Sequence, residues 1–212
     1  AVWFYAGKLC WPAGLTYIYP RWEIDVRAWW QWLFPAAAVG VVLALWLARQ
    51  RLGGGPLVAV LFFAGTLGPA LGFVNVYPFR YSFVADHFQY LASLGIISLA
   101  AAGAVLWLGR RQLWGWPRGA VPCLTLLATL ACLTWRQCGM YADIDTLWRT
   151  TIARNPDCSM AHYNLGTVLL GKGQVDRAIA SFQKAVELQP DAVDALSNLG
   201  IALAGNGQVD QA

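Results

Sequence analysis

Residues Ala161-His162-Tyr163-Asn164-Leu165-Gly166 recur as Ala195-Leu196-Ser197-Asn198-Leu199-Gly200. Gly173-Gln174-Val175-Asp176 recurs as Gly207-Gln208-Val209-Asp210, and Ala178 recurs as Ala212. Every offset is 34 residues. A fixed period of this length marks stacked supersecondary units, none of which can bury its apolar face alone.

These residues resemble the tetratricopeptide repeat family. Leu165, Gly166, Leu169, Ala178, Phe182, Ala185 and Pro190 sit at family positions of the helix pair. Small Gly166 and Ala178 let the two helices approach, and Phe182 and Leu165 fill the space between them. Leu199 and Gly200 take the same roles in the next repeat. His162 replaces the usual aromatic and is read as a half-exposed packing residue. The resemblance implies an α-solenoid with a concave face for a peptide or protein partner.

The register extends backward. Pro156, Trp148 and Ile144 stand 34 residues before Pro190, Phe182 and Ala178. Tyr141, Ile144, Leu147, Trp148 and Ile152 share one helical face, so 141–154 reads as the second helix of a degenerate repeat. Its first helix would fall on the last apolar run, and that run is expected to continue into the array and cap it. The array is thus expected to occupy 138–212: the degenerate helix, a repeat at 159–192 and a cut repeat at 193–212.

The rest of the chain differs in kind. Of 212 residues 58% are hydrophobic and 12% charged, about half the charged share of a soluble domain. This composition excludes intrinsic disorder. Residues 1–140 hold ten Lys/Arg and three Asp/Glu, whereas 141–212 hold five and eight, so +7 and −3 make the net +4. Charge-free stretches at 28–48, 52–79, 88–109 and 119–135 are long enough, the last only just, for the roughly 20 residues that a helix needs to cross a bilayer. Spans are expected at about 30–48, 56–75, 90–109 and 119–136, within a membrane domain at 1–137. The fold class is all-α: a polytopic helical membrane bundle followed by a repeat solenoid. In the second span, Gly68 and Gly72 form a GxxxG pair suited to close helix approach, and Pro69 can kink the helix.

Charge orients the spans. Arg49 and Arg51 follow the first, and Arg110, Arg111 and Arg118 follow the third. These connections carry only positive charge and are assigned to the cytoplasm. The segments around Glu23, Asp25 and Asp86, and the whole repeat array, then lie outside. The expected location is a membrane, most simply a bacterial inner membrane, with extracytoplasmic repeats. Trp29, Trp30 and Trp32 suit an outer aromatic belt, and Trp46, Trp107, Trp114 and Trp116 an inner one.

Five cysteines, at 10, 123, 132, 138 and 158, match no zinc spacing, and no metal site is expected. Cys123 and Cys132 read as packing residues, and a Cys138–Cys158 disulfide is open in an oxidising compartment. No signal peptide precedes the first apolar residues. The chain begins without Met and stops inside a repeat, and is read as an internal piece of a longer protein.

Two outer segments carry chemistry. The first, Lys8 to Arg27, is aromatic and holds Pro12 and Pro20; Lys8, Arg21 and Glu23 are its candidate interfacial residues. It is expected at the interface or re-entering against protein. The second runs from Tyr77 to Tyr90. If 80–90 is helical, Arg80, Phe83 or Val84, His87 and Tyr90 or Leu91 share one face. Arg80, Asp86, His87 and Tyr90 are candidates for holding a lipid-linked phosphate: Arg80 by a charge-assisted contact, Asp86 orienting a sugar hydroxyl or Arg80, and aromatics bordering the lipid chain. The same residues also suit an interfacial anchor with a snorkelling Arg80. Both readings stand on the residues alone.

Ala85-Asp86-His87-Phe88-Gln89-Tyr90-Leu91 resembles the Ala-Asp-Arg-Tyr-x-Tyr-Leu-Pro motif of the transmembrane and tetratricopeptide-containing O-mannosyltransferases, a GT-C glycosyltransferase family. Lys8, Trp11-Pro12, Leu15 and Tyr19-Pro20 resemble its bacterial members, as does the order of spans, loop, spans and repeats. His87 replaces the motif's Arg and Ala92 its Pro. The resemblance implies a polyprenyl-phosphate sugar donor, a catalytic carboxylate upstream of Ala1, and an acceptor protein held by the repeats. No cofactor is identified in this piece; a divalent cation is possible in the full-length enzyme. The alternative is a non-catalytic membrane scaffold whose repeats bind proteins. Nucleic-acid binding is not expected, because the basic residues are loop anchors rather than a stripe.

Overall fold

The computed structural model describes residues 1–71, 82–108, 112–113, 116–117 and 120–207. The described residues are helical apart from loops and a two-residue antiparallel pairing of Gln112–Leu113 with Trp116–Pro117. They form two compact units. The first holds 1–15 and 22–135; the second holds 16–21 together with the residues from 136 onward.

In the first unit, α1 (Val2–Cys10) is followed by a loop and a 3-10 turn at Trp29–Trp32. Helix α2 (Leu33–Leu52) begins with Pro35 in its first turn, where no donor is needed, and ends with Arg49 and Arg51 in its last turn, where they complement the helix dipole. The Arg49 guanidinium lies 4.2 Å from the Trp46 ring and donates to the Trp46 carbonyl at 2.9 Å. Gly53, at φ +78°, turns the chain into α3 (Gly55–Thr66), which opens on Pro56.

Helix α3 is shorter than the expected span. It stops at Thr66, and Gly68–Leu71 form a 3-10 turn. Pro69 is the cause: it lacks the N–H for the next helical bond, and it biases Gly68 away from helix. Helix α4 (Tyr90–Leu108) follows a 3-10 turn at Asp86–Gln89, and Ala85 before it is extended at φ −148°, ψ 142°. The described part of 80–90 therefore becomes helical only from Asp86. Among the described residues of this unit, a close approach is made at Gly95, where a Cβ would sit 2.9 Å from the Ala59 carbonyl and 3.0 Å from the Phe62 ring. A Cβ at Gly68 would meet nothing within 4 Å, and Gly72 lies outside the described residues.

Among the described residues, three helical segments are long and apolar enough to cross a membrane: Trp29–Leu52, Asp86–Leu106 and Ala120–Tyr141, with mean hydropathies of 1.8, 1.7 and 1.2. Neither α2 nor α5 (Ala120–Cys138) has a buried residue. Their side chains face outward into whatever surrounds them. Thr125 and Thr129 donate to the carbonyls of Val121 and Thr125, so α5 satisfies these hydroxyls itself. Cys123 and Cys132, expected to pack, are exposed on α5, and all five cysteines are free thiols.

The second unit holds α6 (Ile144–Arg154), α7 (Ser159–Gly171), α8 (Val175–Leu188) and α9 (Val193–Gly205). Asp143 caps α6, accepting from the Thr146 N–H at 2.9 Å and the Thr146 hydroxyl at 2.7 Å. These bonds hold its carboxyl below the ordinary carboxylate range. The degenerate helix thus starts at Ile144, and Gly139–Tyr141 form a separate 3-10 turn. Gly173 and Gly207 take positive φ, +72° and +76°, at equivalent turns. Only there does the repeat require a residue without a Cβ for conformational reasons.

Candidate functional site

The repeat unit is built as its register demands. Phe182 is fully buried, and Leu165, Gly166, Leu169, Ala178 and Ala185 are buried around it. A Cβ on Gly166 would lie 2.7 Å from the Phe182 ring, so this position admits only glycine without a shift. The Tyr163 ring meets Phe182 at 6.0 Å. Ser159 donates across the helix pair to the Ala185 carbonyl at 2.9 Å. Pro190 is exposed just beyond α8, and Leu199 and Gly200 are half-buried on α9. His162 is half-buried as expected, its Nε2 2.9 Å from the Pro156 carbonyl.

Successive first helices touch through polar groups. The Asn198 amide lies 3.4 Å from the Tyr163 hydroxyl and donates to it. Thr167 and Ile201, one period apart, are exposed on α7 and α9. Asp145 accepts from Lys172 at 2.7 Å and from Arg149, tying α6 to the turn after α7. The Lys172 bond is the main reason that its carboxyl stays below the ordinary range.

The segment Thr16–Arg21, from the loop between α1 and α2, also belongs to the second unit. Thr16, Ile18 and Tyr19 are buried. Tyr17 meets the Trp148 ring edge-on at 5.5 Å, and the buried Asn155 amide donates to the Ile18 carbonyl at 3.3 Å. Neither contact has a signal in local sequence: the partners of the hydrogen bond are 137 residues apart.

The first unit contains a cleft of about 750 Å³ lined by Trp3, Phe4, Trp22, Trp30, Phe34 and Phe83, together with Glu23 and Gln31. The walls hold one another. Trp22 lies 5.7 Å from Phe4 and 6.4 Å from Phe83, ring to ring, and Trp3 donates its indole N–H to the Phe34 carbonyl at 2.9 Å. The Gln31 side chain bridges the backbones of Glu23 and Asp25. An aromatic cavity with few polar groups is the usual form of a small-molecule site.

The candidate phosphate-holding residues are placed as follows. Arg80 lies outside the described residues. Asp86, half-buried, opens the 3-10 turn that leads into α4. His87 is exposed and meets the Phe88 ring edge-on at 4.6 Å, and Tyr90 is exposed at the start of α4. None of these three lines the cleft. The turn is anchored by Tyr5, fully buried in α1, whose hydroxyl accepts from the Ala85 N–H at 3.1 Å. Burial pushes the Tyr5 phenol up to about 12, with the Asp86 charge adding to the rise.

Of the interfacial candidates, Lys8 curls back to the carbonyls of Ala13, at 2.6 Å, and Gly14, at 3.3 Å, and lies over the Phe4 ring. Glu23 lines the cleft, and Arg21 belongs to the repeat unit. Among the described residues no cluster of His, Cys, Asp or Glu is placed to hold a metal ion.

Residues 166–207 match the family model of the TPR repeat. No curated protein and no solved structure matches the chain. The repeats therefore carry the character of a module that binds a protein or peptide.

Proposed function

We propose that this chain is the membrane-anchoring and first repeat portion of a scaffold whose repeats bind a protein partner through the exposed face of their first helices. The observation that carries this reading is the regular α7–α8–α9 stack, with equivalent positions such as Thr167 and Ile201 left open. Stacked helix pairs of this kind present a continuous concave surface formed by successive units. The anchoring part of the reading rests on α2 and α5, whose apolar side chains are nowhere buried. Water would oppose that much exposed apolar surface; a bilayer does not.

Parity supports one topology. Thr16–Arg21 packs with the repeats, so both lie on one side of a membrane. The chain between them crosses an even number of times. Three long apolar helices leave one further crossing to α3 and the turn after it. Twelve α-helical residues at about 1.5 Å and four 3-10 residues at about 2.0 Å reach roughly 26 Å, close to the hydrocarbon thickness of a bilayer. With Arg49 and Arg51 on the cytoplasmic side, Thr16–Arg21 and the repeats are extracytoplasmic.

A second reading, transfer of a sugar from a polyprenyl phosphate to the bound protein, is favoured by the aromatic cleft that Glu23 also lines. Such walls suit stacking on a sugar ring, and the carboxylate can accept from its hydroxyls. A radiolabelled polyprenyl-phosphate sugar bound by the full chain in detergent, and lost on Trp22→Ala, supports it. Equal retention by wild type and variant overturns it.

The scaffold reading is tested by placing a photo-crosslinking residue at Thr167 or Ile201, and at exposed Gln183 on α8 as the control. Adducts with one discrete protein at the first two positions and not at the third are expected. Adducts equal at all three, or at none, overturn it.

A further inference from the structure

We propose that Thr16–Arg21 is the missing first half of the array's first repeat: an irregular strap that replaces a helix and closes the N-terminal end of the solenoid. The inference rests on the repeat register and not on the identity of any partner.

The register makes α6 a second helix. Ile144, Trp148 and Pro156 stand 34 residues before Ala178, Phe182 and Pro190. In the complete repeat, the ring of Phe182 is covered by the first helix, through Gly166 and the Tyr163 ring at 6.0 Å. Trp148, in the equivalent place, is also buried, and the ring that meets it is Tyr17 at 5.5 Å. Tyr17 therefore does for Trp148 what Tyr163 does for Phe182.

The residues that should have done so are elsewhere. Thr129, Ala131 and Cys132 stand one period before Tyr163, Leu165 and Gly166, on α5. All three are exposed. The reading thus gives the capping place, expected of the last apolar span, to the strap.

Main-chain bonding agrees. A segment outside regular secondary structure cannot satisfy its own carbonyls as a helix does. The Asn155 side chain supplies the donor for Ile18, and Asn155 is itself held by its N–H to the Thr151 carbonyl at 2.7 Å. The Tyr19 hydroxyl accepts from the Thr16 N–H at 3.3 Å, folding the strap onto itself. Ile18 and Tyr19 fill space with few residues because both are bulky, and Trp148 is larger than the Phe182 it parallels. A solenoid end left bare would expose the apolar face of its terminal unit, and such arrays need a cap. Here the cap arrives from more than a hundred residues upstream, so the N-terminal end of the array is sealed and is not a docking edge.

Hydrogen exchange of the full chain in nanodiscs, read by mass spectrometry, tests this. Tyr17→Ala is expected to speed exchange of α6 amides at least tenfold, and Tyr17→Phe to leave it within twofold of wild type. Asn155→Ala should act in the same direction as Tyr17→Ala. In a Trp148→Ala background, Tyr17→Ala should add less than twofold. Unchanged α6 protection in Tyr17→Ala overturns the proposal. If Tyr17→Ala loosens the whole array, rescue by Tyr17→Phe supports the strap, and failure of that rescue overturns it. Failure of the crosslinking at Thr167 and Ile201 would reject the partner reading alone, because α6 exchange does not depend on a partner.

Discussion

Gly166 faces the ring of Phe182 so closely that a methyl group on it would stand 2.7 Å away. Phe182 is fully buried, so its ring cannot turn out into solvent. Gly166→Ala gains up to about 1 kcal/mol of helix propensity, but overpacking a filled core costs about 1–3 kcal/mol. A net loss of stability is expected, measured as faster exchange of α7 and α8 amides. Slower exchange would show that the ring can retreat.

Gly95 makes the corresponding contact in the first unit, and its neighbour is the backbone carbonyl of Ala59 at 2.9 Å. Backbone cannot rotate away as a side-chain tip can. Gly95→Ala should push α4 off α3 and lower the melting temperature in detergent, at a cost of about 1–3 kcal/mol. Gly68→Ala, with nothing within 4 Å, should leave the melting temperature nearly unchanged.

Tyr5 holds the turn before Asp86 through the Ala85 N–H. Tyr5→Phe leaves that donor without its acceptor, at a cost of about 1–3 kcal/mol. The phenol is raised to about 12, chiefly by burial. The unfolded chain then gives up this proton first, near 10, so stability falls as pH rises from about 10 to 12. Thermal melts across that range should show a steeper alkaline loss in wild type than in Tyr5→Phe. Identical slopes would mean that the phenol is not sheltered.

Asp145 shows the opposite sign. Its carboxyl is held low by Lys172 first, with Arg149 adding to the effect. Its contribution is present above the ordinary carboxylate value of about 3.9 and is lost as pH falls through the lower folded value. The pair is solvent-facing, so the effect is small and screened by salt. Asp145→Asn should flatten the acid limb of an α6 exchange profile at low salt and do little at high salt.

Much of this architecture was legible in one dimension because its causes are local. The 34-residue period follows from a helix pair whose contacts lie within one unit, so Gly166, Ala178 and Phe182 announce themselves by spacing. Long apolar runs announce helices that water does not favour. Pro69 carried the end of α3 in plain sight, yet the run of apolar residues around it argued for a longer span. Gly68 of the second span looked like a close contact, whereas among the described residues of this unit Gly95 makes one. A glycine's role depends on what the opposite surface brings, and that surface belongs to another helix.

The amino-acid order by itself determined the helical class, the repeat hairpins and the apolar helices, because each depends on residues within a few turns of one another. Only the tertiary structure decided that Tyr17 meets Trp148, that Asn155 holds Ile18, and that six aromatic rings line a cleft together with Glu23. Those contacts join segments far apart in the chain. Their geometry is set by packing and by the need to satisfy buried backbone groups, neither of which leaves a periodic trace in sequence.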